Sequence, residues 1–168
     1  IQFSTATTAP VSCFGGSNGQ ITSTASGGAG AVQYSLLPGN ITNTLGTFSG
    51  LTAGIYTIQA TDANGCSTST LVTVIQPNVL VFAVAQTTPV SCYGGNNGSI
   101  LLNTSGGTAS IGYTLQPGNN TNNTGSFTNL IVGTYTAIAT DANGCSVTTV
   151  LTMNQPTPLQ ITGVSSTI

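Results

Sequence analysis

The sequence contains no lysine, no arginine and no histidine, and its only acids are Asp62 and Asp141. Charged residues make up 1% of the chain, against about 25% in an ordinary soluble domain. Without His or Lys, the common general bases and Schiff-base nucleophiles are missing. Ser and Thr are plentiful, but a hydroxyl nucleophile needs a base and a group to orient it. The Gly-Gly pairs lack phosphate-loop spacing and the lysine that goes with it. With no cation, phosphate clamps and nucleic-acid grooves are excluded. The reading is therefore of no enzyme, no cofactor and no nucleic-acid partner. Long apolar runs are missing too: none approaches the ~20 residues of a membrane helix, so no membrane insertion is expected. No cationic leader is present, which suggests a stretch from inside a mature exported chain.

Low charge here does not mean disorder. Hydrophobic residues make up 39% of the chain, with five Tyr, five Phe and 22 Gly. Disordered segments are poor in such residues and usually charged. Thr, Val, Ile and Tyr favour strands, while Gly, Asn and Pro punctuate turns.

The chain repeats itself. Pro10-Val11-Ser12-Cys13 returns as Pro89-Val90-Ser91-Cys92, and Asp62-Ala63-Asn64-Gly65-Cys66 returns as Asp141-Ala142-Asn143-Gly144-Cys145, both at an offset of 79. About half of all positions agree at that offset, with no insertion. Residues 1–79 and 80–158 are thus two copies of one unit. Residues 159–168 align with the start of each copy and read as the first strand of a third. A period of 79 is too long for a solenoid turn and suits a small domain in an array.

Val32, Tyr34 and Leu36 alternate with polar neighbours, as do Tyr56, Ile58 and Ala60. The second copy keeps this with Ile111, Tyr113 and Leu115. A period of two marks strands buried on one face. Strands are expected near 1–9, 19–26, 31–37, 44–49, 54–62 and 66–76, and again 79 residues on. No segment carries a helical stripe. This pattern predicts an all-β fold of two tandem immunoglobulin-like sandwiches, set end to end. Leu51-x-x-Gly54-x-Tyr56 and Leu130-x-x-Gly133-x-Tyr135 resemble the tyrosine corner of that fold.

Asp62, Asn64 and Gly65 predict a two-residue hairpin, as do Asp141, Asn143 and Gly144. The carboxylate would accept backbone N–H groups there. Calcium ligation is the competing role, with thin support from one acid per copy. Each copy also holds two cysteines 53 residues apart: Cys13 with Cys66, and Cys92 with Cys145. Zinc needs closely spaced partners that are missing, and a reactive thiol needs a neighbouring cation. The expectation is two intra-repeat disulfides, Cys13–Cys66 and Cys92–Cys145, in an extracytoplasmic setting. Each would stabilise by about 4 kcal/mol on the chain-entropy account. Four buried free thiols are the alternative. N-x-[ST] triplets stand at Asn40, Asn97, Asn103, Asn119 and Asn122. They matter only where the source glycosylates Asn, and chance triplets are common in so Asn-rich a chain.

The run Val11-Ser12-Cys13-Phe14-Gly15-Gly16-Ser17-Asn18-Gly19, then Gly27-Gly28, Tyr34, the Leu51 to Tyr56 motif, Asp62 to Cys66 and Gln76-Pro77, resembles the SprB-type repeat. The second copy matches equally well, so the resemblance spans both. It implies a very large cell-surface protein of Bacteroidota, related to the mobile adhesin of gliding cells. It implies export by the type IX secretion system and display as a filament on the outer membrane.

These readings converge on a non-catalytic stalk spacer of a surface adhesin. Its expected partners are neighbouring repeats of the same chain, other copies in a filament, and surface polysaccharide. The short Gln76-Pro77-Asn78 connection, with one φ fixed by Pro, should limit bending between repeats. The main rival is a self-assembling fibre or surface-layer subunit joined by strand addition. A carbohydrate-binding module would need exposed aromatics, and most here fall on core faces. An ice-binding surface would need a short solenoid repeat.

Overall fold

The computed structural model of the chain describes residues 1–163. Two compact units divide at Val79 and Leu80. The first contains β1 (Gln2–Ala9), β2 (Gly19–Ser26), β3 (Gln33–Leu37), β4 (Ile41–Asn43), β5 (Thr47–Leu51), β6 (Gly54–Thr61) and β7 (Ser67–Val74). The second repeats them as β8 (Val81–Thr88), β9 (Gly98–Ser105), β10 (Gly112–Gln116), β11 (Asn120–Asn122), β12 (Ser126–Leu130), β13 (Gly133–Thr140) and β14 (Ser146–Met153). There is no helix among the described residues.

Each unit is a sandwich of two antiparallel sheets. One has the order β1-β2-β5 and the other β4-β3-β6-β7; the second unit has β8-β9-β12 and β11-β10-β13-β14. This is the immunoglobulin-like arrangement that the alternation predicted. Tyr34 and Leu36 of β3, and Tyr56, Ile58 and Ala60 of β6, face Ile21 of β2 and Phe48 and Leu51 of β5 in one buried cluster. Its counterpart is built from Ile100, Leu102, Tyr113, Leu115, Phe127, Tyr135 and Met153, among others. Burying one such aliphatic side chain contributes roughly 1.5–3 kcal/mol. Tyr34 also ties the sheets together, because its hydroxyl accepts the Ala25 N–H at 2.9 Å.

Most strands are a residue or two shorter than expected, such as Gln33–Leu37 and Ser67–Val74, and the largest difference is in the fourth. The strand expected over 44–49 begins at Thr47, and a short strand, β4, precedes it. The cause is Asn43. Its Oδ1 accepts the N–H groups of Leu45 (2.9 Å) and Gly46 (2.7 Å), which turns the chain before β5. Gly46 sits at φ 70°, and a Cβ there would overlap the Ser23 carbonyl oxygen. Only glycine meets both demands.

Residues 159–163 form no strand, with Leu159 98% and Ile161 85% exposed. An isolated strand leaves its backbone unpaired, and no partner for one exists among the described residues. The rest of the expected third-repeat strand lies outside the described residues.

Candidate functional site

Each sandwich has two chemically distinct ends, and the recurrent loop motifs lie at them. The leading end is where the chain enters. Ile1 packs beside Gly27 and Gly28 there, and Asp62 lies against Gly28. The Asp62 carboxylate organises this end. Its Oδ1 accepts the N–H groups of Asn64 (3.0 Å) and Cys66 (2.9 Å). Its Oδ2 accepts the Ala29 N–H at 3.0 Å. One side chain thus fastens the β6–β7 hairpin to the β2–β3 loop. Asp141 does the same with Asn143, Cys145 and Thr108.

These hydrogen bonds set the acidity of both groups. The Ala29 N–H holds the Asp62 carboxyl below its ordinary value; burial opposes this, and the Cys66 and Asn64 N–H groups reinforce it. Asp141 is lowered in the same way, by Thr108 first. Both oxygens of each carboxylate face N–H donors, which is the turn-holding role. No cluster of three or more His, Cys, Asp or Glu occurs among the described residues.

The hairpin itself is longer than the two residues expected from Asn-Gly. Asp62 and Cys66 close it through Asp62 N–H to Cys66 O at 2.9 Å, and Gly65 N–H returns to Asp62 O at 3.0 Å. Gly65 has a positive φ of 85°, while Asn64 does not. That is a three-residue loop ending in a left-handed glycine. The side-chain bonds of Asp62 favour it by holding Asn64 in the ordinary turn conformation.

The trailing end is where the chain leaves. Val11 N–H donates to Ile75 O at 2.9 Å, and Gly15 N–H donates to Gln76 Oε1 at 2.7 Å. Ser12 and Asn18 lock the loop across its base. Ser12 N–H donates to Asn18 Oδ1 (2.9 Å), and Asn18 Nδ2 donates to Ser12 Oγ (2.7 Å). A Cβ on Gly19 would lie 2.6 Å from Val74 Cγ1, so the loop seats directly on the last strand. Ser91, Asn97, Gly94 and Gln155 repeat the arrangement. Sequence reasoning singled out this motif without giving Asn18 and Gln76 a role; their shared recurrence was the available signal. Among the N-x-[ST] triplets, Asn97 and Asn122 spend their side chains on such bonds.

The tyrosine corners have direct geometry. Tyr56 Oη donates to Thr52 O at 3.0 Å, and Tyr135 Oη donates to Ile131 O at 3.0 Å. Each hydroxyl ties the start of β6 or β13 back to the preceding corner. Tyr56→Phe should cost about 1 kcal/mol, the usual contribution of such a bond. Urea denaturation would read this as a lower midpoint with an unchanged slope.

The cysteines require a correction. Cys13 lies in the trailing loop, and Cys66 opens β7 at the leading end. The eight residues of β7 separate them, a span of roughly 26 Å. A disulfide needs Cα atoms within about 7 Å. The expected pairs Cys13–Cys66 and Cys92–Cys145 are therefore not formed. Cys66 and Cys92 are exposed free thiols, whereas Cys13 and Cys145 are disulfide-bonded. Each unit exposes one large aromatic beside its trailing cysteine, Phe14 and Tyr93.

Residues 5–41 and 84–120 both match the SprB repeat. The matched stretches run from β1 to the start of β4 and from β8 to the start of β11, and each includes a trailing loop. SprB repeats are found in cell-surface proteins. No curated protein matches the sequence. Among solved structures, a C-terminal 282-residue fragment of intimin, crystallised with the intimin-binding domain of the translocated intimin receptor, is similar at 14% identity and a TM-score of 0.50. The likeness covers 92% of this chain and 65% of that fragment, so the chain spans less than two thirds of it. An amphioxus IgVJ-C2 molecule is similar at 12% identity and a TM-score of 0.38, over 92% of this chain and 99% of that one. The intimin likeness supports the immunoglobulin-like fold.

Proposed function

We propose that this segment is a non-catalytic spacer in the stalk of a large surface adhesin. The observation that carries it is the placement of the recurrent motifs. They close the two ends of each sandwich, where one repeat hands the chain to the next, and the sheet faces vary more freely between copies. Val72 is replaced by Leu151 and Thr68 by Val147 at the offset of 79. A ligand-binding module would be expected to keep a shared surface on the faces or a long loop. The reading extends to outer-membrane display and, in a gliding cell, to motility. Its partners are then neighbouring repeats, with other copies in a filament and surface polysaccharide as further candidates.

Small-angle scattering on the two-repeat chain tests the spacer reading. An elongated particle, close to two sandwich lengths, is expected. A compact side-by-side pair would refute it. Concentration-dependent growth into polymers would instead favour the self-assembling fibre.

A further inference from the structure

We propose that Asn64 is a self-modifying site, an Asn-Gly pair poised to convert to aspartate or isoaspartate, and that Ala29 is what leaves it open. The inference is independent of the spacer reading. The chain holds four Asn-Gly pairs, at Asn18, Asn64, Asn97 and Asn143. Asparagine is a thermolabile residue, and a following glycine uncovers its own backbone nitrogen because it carries no Cβ. Conversion requires that nitrogen to meet the Asn side-chain carbon. The amide must therefore be free to swing, and the glycine nitrogen must be within reach. The four pairs differ in both respects.

The trailing loops withhold both. Asn18 Oδ1 accepts the Ser12 N–H at 2.9 Å, and Asn18 Nδ2 donates to Ser12 Oγ at 2.7 Å. Gly19 is buried as the first residue of β2. Asn97 is bound to Ser91 in the same way, at 3.0 Å and 2.7 Å, and Gly98 is buried at the start of β9.

The hairpin pairs are exposed, with open space where a Cβ would stand on Gly65 or Gly144. Each glycine N–H makes one turn bond, Gly65 to Asp62 O and Gly144 to Asp141 O, both at 3.0 Å. That restraint is common to the two. The side chains are not alike. Asn143 Nδ2 donates to Thr108 Oγ1 at 3.0 Å. At the place of Thr108 the first unit has Ala29, which offers no hydroxyl. The exposed Asn64 side chain makes no hydrogen bond among the described residues.

The chemistry needs only solvent water. Gly65 N attacks Asn64 Cγ. A bond forms between them, the bond from Cγ to Nδ2 breaks, and the Gly65 proton leaves with the departing ammonia. Water then opens the cyclic imide at either carbonyl, giving Asp or isoAsp. The imide has no N–H, so the bond from Gly65 to Asp62 O is lost on the way. The isoAsp product adds a methylene to the backbone of the turn. Either product places one more negative charge beside Asp62, in a chain whose formal net charge is −2. With age, the first unit gains charge at its leading hairpin sooner than the second does.

Peptide mapping of the folded chain, aged in mildly alkaline buffer, tests this. Cleavage on the N-terminal side of Asp puts Asn18 in 1–61, Asn64 and Asn97 in 62–140, and Asn143 in 141–168. Fragmentation in the mass spectrometer separates the two that share a piece. Asn64 should convert first. Asn143 should be roughly fivefold slower, the factor that one ordinary hydrogen bond represents, and Asn18 and Asn97 slower still. Aged in urea, all four should convert at similar rates, because glycine follows each of them. Ala29→Thr should slow Asn64 to the rate of Asn143, and Thr108→Ala should raise Asn143 to the rate of Asn64. Either variant suffices if the other folds poorly. Equal rates at Asn64 and Asn143 in the folded chain, or substitutions that leave both rates unchanged, would overturn the proposal.

Discussion

Acid should destabilise the folded chain. The only side-chain carboxylates are Asp62 and Asp141, and backbone N–H groups lower both in the folded chain. The folded state therefore binds fewer protons than the unfolded one near the ordinary carboxylate value of about 4. Stability from these groups is complete above about pH 5 and is lost as pH falls through that value towards the lowered one. The chain should hold a constant denaturation midpoint from neutral pH to about 5, then weaken steeply. In the Asp62→Asn, Asp141→Asn double variant the midpoint should be lower at neutral pH and nearly flat in acid. The amide that replaces Oδ2 would point a donor at the Ala29 or Thr108 N–H. Urea titrations across the acid range provide the readout. A variant that keeps the acid-induced fall would show that other groups cause it.

Much of the fold was legible because its signals are local. Alternation at Tyr34, Leu36, Tyr56, Ile58 and Ala60 gave the strands and the faces they bury. The offset of 79 gave the units, and Leu51-x-x-Gly54-x-Tyr56 gave the corner, because the bond runs between residues only four apart. The three-residue hairpin was missed because Asn-Gly alone favours a shorter turn. What lengthens it is a side-chain bond from Asp62 to Cys66, which composition does not display. Short β4 was missed because Asn43 acts through its own turn and not through a hydrophobic pattern.

The cysteines show the limit most clearly. Two per repeat invited pairing within the repeat, since spacing along the chain carries no information about which end of a sandwich a residue occupies. Only the strand order places Cys13 and Cys66 at opposite ends of β7. The same fact changes the meaning of the motifs around them. Val11 to Gly19 and Asp62 to Cys66 do not build one site. They close opposite ends of the same sandwich.

Length against repeat number tests the central claim most directly. Chains of two, four and six repeats, oxidised and imaged by electron microscopy, should lengthen in equal steps of roughly 40 Å per repeat, since an eight-residue strand with its end loops fixes the sandwich length. Particles that thicken or clump as repeats are added, without a regular gain in length, would contradict a spacer built from stacked sandwiches.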